Sequence, residues 1–428
     1  MRILLKGARV GLTLLFLVGP CTVLSSFSQN KPRARDLGIP LDGNPGPFNA
    51  ITDVPGVEVG YTTLISGEGK LVVGQGPVRT GVTAILPRGR ATLDPVFAAF
   101  YAGNGNGDMT GTHWLEETGV LETPILITNT LSVGTVRDAT VSWMVKHGAN
   151  GPFWYPVAAE TSDGRLNDMK GLHVKAEDAI MALESAHGGQ IAEGNVGGGT
   201  GMNCHGFKGG TGTASRRLAT EAGAYTLGVL AQCNYGTRSQ LRIAGIPVGR
   251  EIEGYQPCVT QKIDPPVRDS TGQPLPVCDD DPSRHVALHE DREQGSIIIV
   301  VATDAPLTPD QLKRVARRVS LGLGRMGSNH GNGSGDIFLA FSTANRGADW
   351  GNSSGGRPSL PPPSITRLPS GAMDPLFTAT VEATEEAIIN AMLAADTMTG
   401  ANYLRSYAIP HDQLKAVLAK YGRLAESR

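Results

Sequence analysis

The stretch GSIIIVVATDAPL (295–307) is the most informative part of the sequence for the fold. Its β-branched run, Ser296–Ala302, predicts a strand that is buried on both faces. The residues before it, 252–295, contain six prolines and a run of three aspartates, which predicts a long exposed linker. An exposed linker that leads directly into a buried strand is the pattern expected where a chain is cut.

Other short apolar runs, bounded by Gly, Pro or Asn, also predict buried strands. They are Val82–Leu86, Val96–Tyr101, Ile125–Thr128, Ala224–Gln232 and Ile337–Ser342. Helices are predicted over Thr135–Lys146, over Lys175–Ser185, from a capping box at Thr308, from Asp374, and over His411–Lys420. Strands mixed with helices throughout predict an α/β fold with layered sheets.

The composition limits the classes of function. The chain has 428 residues, with 38 basic and 40 acidic side chains and a formal net charge of −2. This balance excludes the broad cationic field of a nucleic-acid-binding protein. Hydrophobic residues make up 40% of the chain and charged residues 18%, which is enough apolar material for a large core.

The N-terminus has the pattern of a secretory signal. Arg2, Lys6 and Arg9 precede the apolar run Gly11–Gly19, which is too short to span a bilayer. We therefore expect residues 1–28 to be removed and the mature protein to be secreted or periplasmic, with no membrane attachment. Cys21 leaves a lipoprotein as an alternative, although Pro20 before it fits that pattern poorly.

Export permits disulfide bonds. Cys258 and Cys278 flank the proline-rich segment and are predicted to form one. Cys204 and Cys233 lie in Gly-rich and apolar surroundings, and for these two we expect free buried thiols.

Several familiar site patterns are missing or incomplete. No serine lies in a G-x-S-x-G sequence. The loop NVGGGTG (195–201) lacks the spacing and the lysine of a nucleotide-binding loop. His285 and His289 are four residues apart, but no third ligand is evident, so we expect solvated side chains and no metal site.

Polar side chains cluster at the ends of the predicted strands. Ser296 begins one strand, and Ser334 and Asp336 lie two residues apart just before another, so that they share a face. Asn234 follows a third strand and could stabilise an oxyanion. Glu160 ends the apolar segment PVAAE, where an unpaired carboxylate is costly. Together these groups predict one site.

Six sequence blocks carry a family resemblance. They are NAITDVPGVEVG (49–60), PVAAETSDGRLND (156–168), GNVGGGTGMNCHGFKGG (194–210), QCNYGTR (232–238), GSIIIVVATDAPL (295–307) and GNGSGDIFLAFSTAN (331–345). In this order they resemble the L-aminopeptidase/D-esterase and β-peptidyl aminopeptidase family. The resemblance implies an α-β-β-α sandwich, similar to N-terminal-nucleophile hydrolases with different strand connectivity.

The resemblance also implies self-cleavage between Gly295 and Ser296. The subunits 29–295 and 296–428 would stay associated as one catalytic domain. The resemblance also implies a homo-oligomer. Ser296 would be the nucleophile, with Ser334 and Asp336 assisting it. Asn234 would line the oxyanion hole, and Glu160 would bind the substrate ammonium group.

The chemistry fits the residues. A free α-amine on Ser296 has an ordinary pKa of about 7.7–8.0 and can act as the base that a serine hydroxyl needs. No metal or organic cofactor is expected, and the substrates would be small peptides, amino-acid amides or esters. Ser162 stands where some relatives have an aromatic hydroxyl, which leaves substrate preference open.

Two other functions remain as alternatives. An acyltransferase of the ornithine acetyltransferase type has a similar self-cleaving scaffold, but the signal sequence and the serine at 296 disfavour it. A non-catalytic binding protein is the other, and the set of polar groups at the strand ends disfavours it.

Overall fold

The computed structural model describes residues 31–149, 151, 153–269, 271–284, 293–347 and 364–425. The described residues from Pro32 onward form one compact unit. The expected signal sequence, 1–28, and the pair His285 and His289 lie outside the described residues. Within the described residues, no helix combines the length and apolar character that crossing a bilayer requires.

The strands follow one another along the chain as a mixture of long and very short elements. They are β1 Glu58–Ser66, β2 Val78–Leu86, β3 Val96–Gly105, β4 Val120–Leu121, β5 Ile125–Thr128, β6 Val157–Glu160, β7 Asn203–Cys204, β8 Phe207–Lys208, β9 Gly210–Arg217, β10 Thr226–Asn234, β11 Cys258–Val259, β12 Gln294–Thr303, β13 Gly333–Ser342, β14 Met398–Thr399 and β15 Leu404–Ser406.

The α-helices lie between these strands. They are α1 Thr112–Thr118, α2 Val133–Lys146, α3 Ala176–Glu184, α4 Val248–Glu251, α5 Pro309–Met326, α6 Asp374–Leu393 and α7 His411–Lys420. Helix α5 begins at Pro309 after the N-cap Thr308, and Gln311 completes the capping box.

Most of the strands belong to two mixed sheets. Among the described residues, one has the order β1-β2-β5-β6 and the other the order β4-β3-β13-β12-β10-β9. In the larger sheet, β12 runs parallel to β13 and antiparallel to β10. The strand quoted at the start of the sequence analysis is therefore an interior strand, which explains why both of its faces are apolar.

Three apolar clusters accompany these sheets. Helices α2 and α3 pack on the smaller sheet around Trp143 and Leu183. Helices α5 and α6 pack on the larger sheet around Ile297 and Ile299. The third cluster combines Ile298 of β12 with residues of β5 and β6 in the smaller sheet. Alternate residues of β12 thus pack against helices and against the other sheet.

The predicted α/β class is confirmed, and so are the main elements. The expected strand Ile125–Thr128 and helix His411–Lys420 have the predicted bounds. The strand predicted over Ala224–Gln232 is observed two residues later, as β10, and the other predicted strands lie within longer observed ones. The longer strands β1 and β9 were not predicted, nor were the two-residue strands, which are too short to show a hydrophobic period.

The expectation of an exposed linker over 252–295 needs correction. Most described residues of 261–284 are exposed, but 252–260 are largely buried. Val259 of β11 packs with Leu275, Leu166 and Leu404, and β11 pairs with β15 near the C-terminus. A few apolar side chains within a proline-rich segment are enough to anchor it, although its composition suggests a solvated loop.

Both pairs of described cysteines are joined. Cys258 and Cys278 form a disulfide, which is the pairing predicted from the sequence. Cys204 and Cys233 form a second one, so the expectation of free thiols at these positions is wrong. The short turn between β7 and β8 returns the chain to the end of β10, and this contact between distant segments has no sequence signal.

Removing the Cys258–Cys278 bond is expected to lower the free energy of unfolding by about 3 kcal/mol, because the bond closes a loop with a sequence separation of 20. The measurement is denaturant unfolding of the Cys258→Ser/Cys278→Ser double variant beside the unaltered protein. An unchanged free energy of unfolding would show that β11 and Leu275 hold this segment without the crosslink.

Candidate active site

Ser296 lies near the start of β12, between two neighbouring strands. It pairs with Asn234 at the end of β10 and with Gly335 at the start of β13. Its side chain is only 3% exposed. Paired residues on adjacent strands project to the same face, so the Ser296 hydroxyl shares the face of Asn234, which looks toward the smaller sheet.

Gly295, the residue before it, occupies a position that requires glycine. Its φ is +113°, and a Cβ there would lie 2.1 Å from the carbonyl oxygen of Asn234. Any other residue would meet both an unfavourable backbone conformation and a steric clash. The peptide bond between Gly295 and Ser296 is therefore held tightly against the end of β10.

The amide of Asn234 is oriented by two backbone groups. Its Oδ1 accepts from the N–H of Asn203 at 2.9 Å, and its Nδ2 donates to the carbonyl oxygen of Ser162 at 2.9 Å. These bonds fix which end of the amide carries the N–H groups. Among the described residues, the second N–H of Nδ2 has no acceptor, so it is available to an oxyanion.

Ser162 contributes to this arrangement through its backbone. Its side chain is exposed, and its hydroxyl lies 3.8 Å from the sulfur of Met169. The carbonyl of Ser162 thus orients Asn234, whereas its hydroxyl contacts a different neighbour.

Glu160 ends β6 in the smaller sheet and is 3% exposed. Its Oε1 accepts from the N–H of Asp108 at 3.1 Å, and its Oε2 accepts from the hydroxyl of Thr130. Burial raises the pKa of the Glu160 carboxyl, and these two hydrogen bonds oppose the rise only in part. The site thus holds a carboxylate that an incoming cation would stabilise.

Two glycines bring Glu160 close to the strand that neighbours Ser296. A Cβ on Gly107 would lie 3.1 Å from Oε1 of Glu160 and 3.3 Å from Cα of Gly335. Because Gly335 pairs with Ser296, the carboxylate faces the same cleft between the sheets as the serine hydroxyl. Side chains at either glycine would fill that cleft.

Ser334 and Asp336 form a buried pair. The hydroxyl of Ser334 donates to Oδ1 of Asp336 at 2.6 Å, and neither side chain is exposed. In the ladder between β12 and β13, Ser334 pairs with Gly295 and Asp336 pairs with Ile297, so the two residues flank Gly335, the partner of Ser296. By alternation they project to the other face of the sheet from the Ser296 hydroxyl. They approach the Gly295–Ser296 peptide from the opposite side.

Sequence reasoning missed several residues of this region. Asp108 and Thr130 bind Glu160, and Nδ1 of His330 lies 2.6 Å from Oδ2 of Asp336. His330 belongs to a Gly- and Asn-rich turn that shows no periodicity, so no sequence signal identified it. Among the described residues, no group of three or more His, Cys, Asp or Glu is arranged to hold a metal ion.

Comparison with known proteins agrees with this geometry. The model of peptidase family S58 matches residues 49–405. The β-peptidyl aminopeptidase BapA of Sphingosinicella microcystinivorans is 51% identical over 401 residues, covering 94% of this chain and 95% of that protein. The corresponding enzyme of Sphingosinicella xenopeptidilytica is 45% identical, covering 93% of each.

A solved structure extends the comparison. The L-aminopeptidase D-Ala-esterase/amidase of Ochrobactrum anthropi is 44% identical, with a TM-score of 0.78, covering 92% of this chain and all of that one (100%). It is described as a prototype for the serine aminopeptidases and a variant of the Ntn hydrolase fold. The fold and the site therefore define a hydrolase with aminopeptidase activity. The chain belongs to peptidase family S58.

Proposed function

We propose that this aminopeptidase activates itself by cutting the Gly295–Ser296 bond and then uses Ser296 as an N-terminal nucleophile. The observation that carries the proposal is the position of Gly295, where only glycine fits and where the next residue is a buried serine at the start of an interior strand. A peptide held in this way is accessible to the hydroxyl of its own next residue.

The self-cleavage has two steps. First the Oγ of Ser296 attacks the carbonyl carbon of Gly295, the C–N bond breaks, and the hydroxyl proton passes to the departing nitrogen. Water then hydrolyses the resulting ester, which leaves a carboxylate on Gly295 and a free amine and hydroxyl on Ser296. No external reactant other than water is needed.

Turnover uses the same serine. The free α-amine of Ser296 takes the proton of its own hydroxyl as Oγ attacks the substrate carbonyl, and later returns it to the leaving group. This leaves an acyl-enzyme on Ser296, which water hydrolyses to release the acyl group as a carboxylate and to restore the hydroxyl. The second N–H of Asn234 stabilises the oxyanion. The Ser334 hydroxyl, which donates to Asp336 and lies on the other face of the sheet from the Ser296 hydroxyl, accepts a hydrogen bond from the Ser296 amine. This bond stabilises the protonated form of the amine.

Glu160 gives the enzyme its preference for a free N-terminus. The substrate ammonium group would supply the partner that this buried carboxylate lacks, and it would lower the raised pKa of the carboxyl on binding. The curated relatives are named β-peptidyl aminopeptidases. We therefore propose that the substrates include β-aminoacyl peptides, with L- or D-residue amides and esters as the other classes.

The finer architecture that we propose is a four-layer α-β-β-α sandwich. The support is the membership of the three apolar clusters, which couple helices to the smaller sheet, the two sheets to each other, and the larger sheet to α5 and α6. The catalytic residues would then lie between the two central layers.

We also propose that residues 1–28 are removed on export to the periplasm or the medium, where the two disulfides are compatible with an oxidising environment. The fragments 29–295 and 296–428 would stay together because β12 pairs with β10 and β13 pairs with β3 across the cut. Leu321 on α5 is 59% exposed beside Phe377 of α6, which offers apolar surface to a homo-oligomer.

The test compares aminoacyl p-nitroanilides with their N-acetylated forms, for L-, D- and β-residues. Acetylation is expected to reduce kcat/KM by at least about tenfold, because it removes the charge that binds Glu160. Equal kcat/KM values for the free and the acetylated substrates would mean that the enzyme is a general amidase that does not recognise the substrate amine. Adding an amine acceptor tests the acyltransferase alternative, which requires transfer to exceed hydrolysis.

A further inference from the structure

The carboxylate of Glu293 holds the loop 328–331, which precedes β13. Its Oε1 accepts from the hydroxyl of Ser328 at 2.5 Å, and its Oε2 accepts from the N–H groups of Asn329 at 2.8 Å and Gly331 at 3.3 Å. Glu293 is buried and lies two residues before Gly295. The segment that leads into the cut is therefore bonded directly to the loop 328–331.

The same loop presents His330 to Asp336. Nδ1 of His330 lies 2.6 Å from Oδ2 of Asp336, and because a carboxylate only accepts, this nitrogen carries the proton. The hydroxyl of Ser328 also accepts from the N–H of His330 at 3.2 Å. One hydroxyl thus connects Glu293 to the backbone of the histidine.

These contacts form a continuous chain from Glu293, through loop 328–331, His330 and Asp336, to Ser334. Ser334 lies beside Gly295 in the ladder between β12 and β13. Both ends of the chain of contacts therefore meet the scissile segment. Neither Glu293 nor His330 has a part in the mechanism described so far.

We infer that Glu293 and His330 are positioning residues for self-cleavage, which hold Asp336 and Ser334 in place beside the peptide nitrogen of Ser296. The inference rests on the proposed self-cleavage. Asp336 receives hydrogen bonds on both oxygens, one from Ser334 and one from His330, so its carboxylate cannot rotate away from the serine. The Ser334 hydroxyl is consequently held in one orientation, beside Gly295 in the strand ladder.

Two substitutions of His330 separate positioning from packing. The residue has a φ of +51°, a conformation that Asn and Asp both tolerate. His330→Asn retains an N–H donor near the Nδ1 position, whereas His330→Asp has the same shape but faces Asp336 with a second carboxylate. We expect His330→Asn to cleave at a rate within about threefold of the unaltered protein, and His330→Asp to cleave at least about tenfold more slowly.

A second pair of variants tests Glu293, at the other end of this chain of contacts. Glu293→Gln can still accept from the two N–H groups and donate to Ser328, whereas Glu293→Ala leaves those groups without their acceptor. Cleavage is expected to slow at least about tenfold in Glu293→Ala and to recover in Glu293→Gln. Tyr235→Phe is the control, since among the described residues the buried Tyr235 hydroxyl has no hydrogen-bond partner.

The measurement is a time course of intact mass after cell-free synthesis, with thermal unfolding of each variant. Equal rates for His330→Asn and His330→Asp, or for Glu293→Gln and Glu293→Ala, would overturn the inference. If one of the His330 variants is insoluble, the Glu293 pair decides. Absence of cleavage in the unaltered protein would instead refute the proposed self-cleavage, which distinguishes the two failures.

Discussion

Ser296→Ala is expected to remain a single chain and to be inactive. The substitution removes the hydroxyl that attacks the Gly295 carbonyl, and an uncut chain has no free amine to act as base. Activity should fall by on the order of 10³-fold or more. Intact-mass analysis and a denaturing gel report the cleavage, and hydrolysis of an aminoacyl p-nitroanilide reports the activity.

The matched control is Ser142→Ala, which removes an exposed hydroxyl on α2 that donates to the carbonyl oxygen of Asp138 in the same helix. It should be cut and active like the unaltered protein. Cleavage that persists in Ser296→Ala would mean that another protease performs the cut. In that case the geometry at Gly295 would have to be explained by packing.

Glu160→Gln is expected to reduce kcat/KM for substrates with a free amine by roughly 10- to 200-fold, while self-cleavage continues. A charged hydrogen bond to the ammonium group contributes about 1.5–3 kcal/mol, and about 1.4 kcal/mol corresponds to one decade. Gln keeps the shape of the side chain and removes only the charge, so the preference over N-acetylated substrates should largely disappear. Steady-state kinetics with both substrate forms provide the measurement.

The same variant should not be less stable at neutral pH. Burial raises the pKa of Glu160, so the folded enzyme holds this proton more tightly than the unfolded chain does. The resulting stabilisation is present at low pH and is lost as the pH rises through the folded pKa. Glu251→Gln, at a partly exposed carboxylate paired with Lys420, is the control for substrate kinetics. A marked loss of stability in Glu160→Gln would indicate that the carboxylate mainly caps the turn after β6.

The sequence was sufficient to predict the parts of the site that lie at the ends of apolar strands. The run from Ser296 to Ala302 identified an interior strand, and Asn234 and Glu160 were recognisable because each ends a hydrophobic segment. Such signals are local, since a strand buried on both faces needs apolar residues at every position.

The remaining features depend on contacts between distant segments. The pairing of Ser296 with Gly335, which places Ser334 and Asp336 on the other face, is set by the register of two strands separated by a helix. The bonds of His330 and Glu293 come from irregular segments without a hydrophobic period. The pairing of Cys204 with Cys233 depends in the same way on a short turn.

The order of strands in the larger sheet has a consequence for how the protein can regain its structure after denaturation. Strand β13 and all of β12 except its first two residues lie after the proposed cut, and these two strands are flanked on both sides by strands that lie before it. Before cleavage, refolding involves a single chain, so its rate does not depend on the protein concentration. After the proposed cleavage, refolding would require the two fragments to meet, and each fragment alone would expose unpaired strand edges that favour aggregation. The proposed maturation would therefore turn a reversible folding equilibrium into a state that persists mainly because it unfolds slowly.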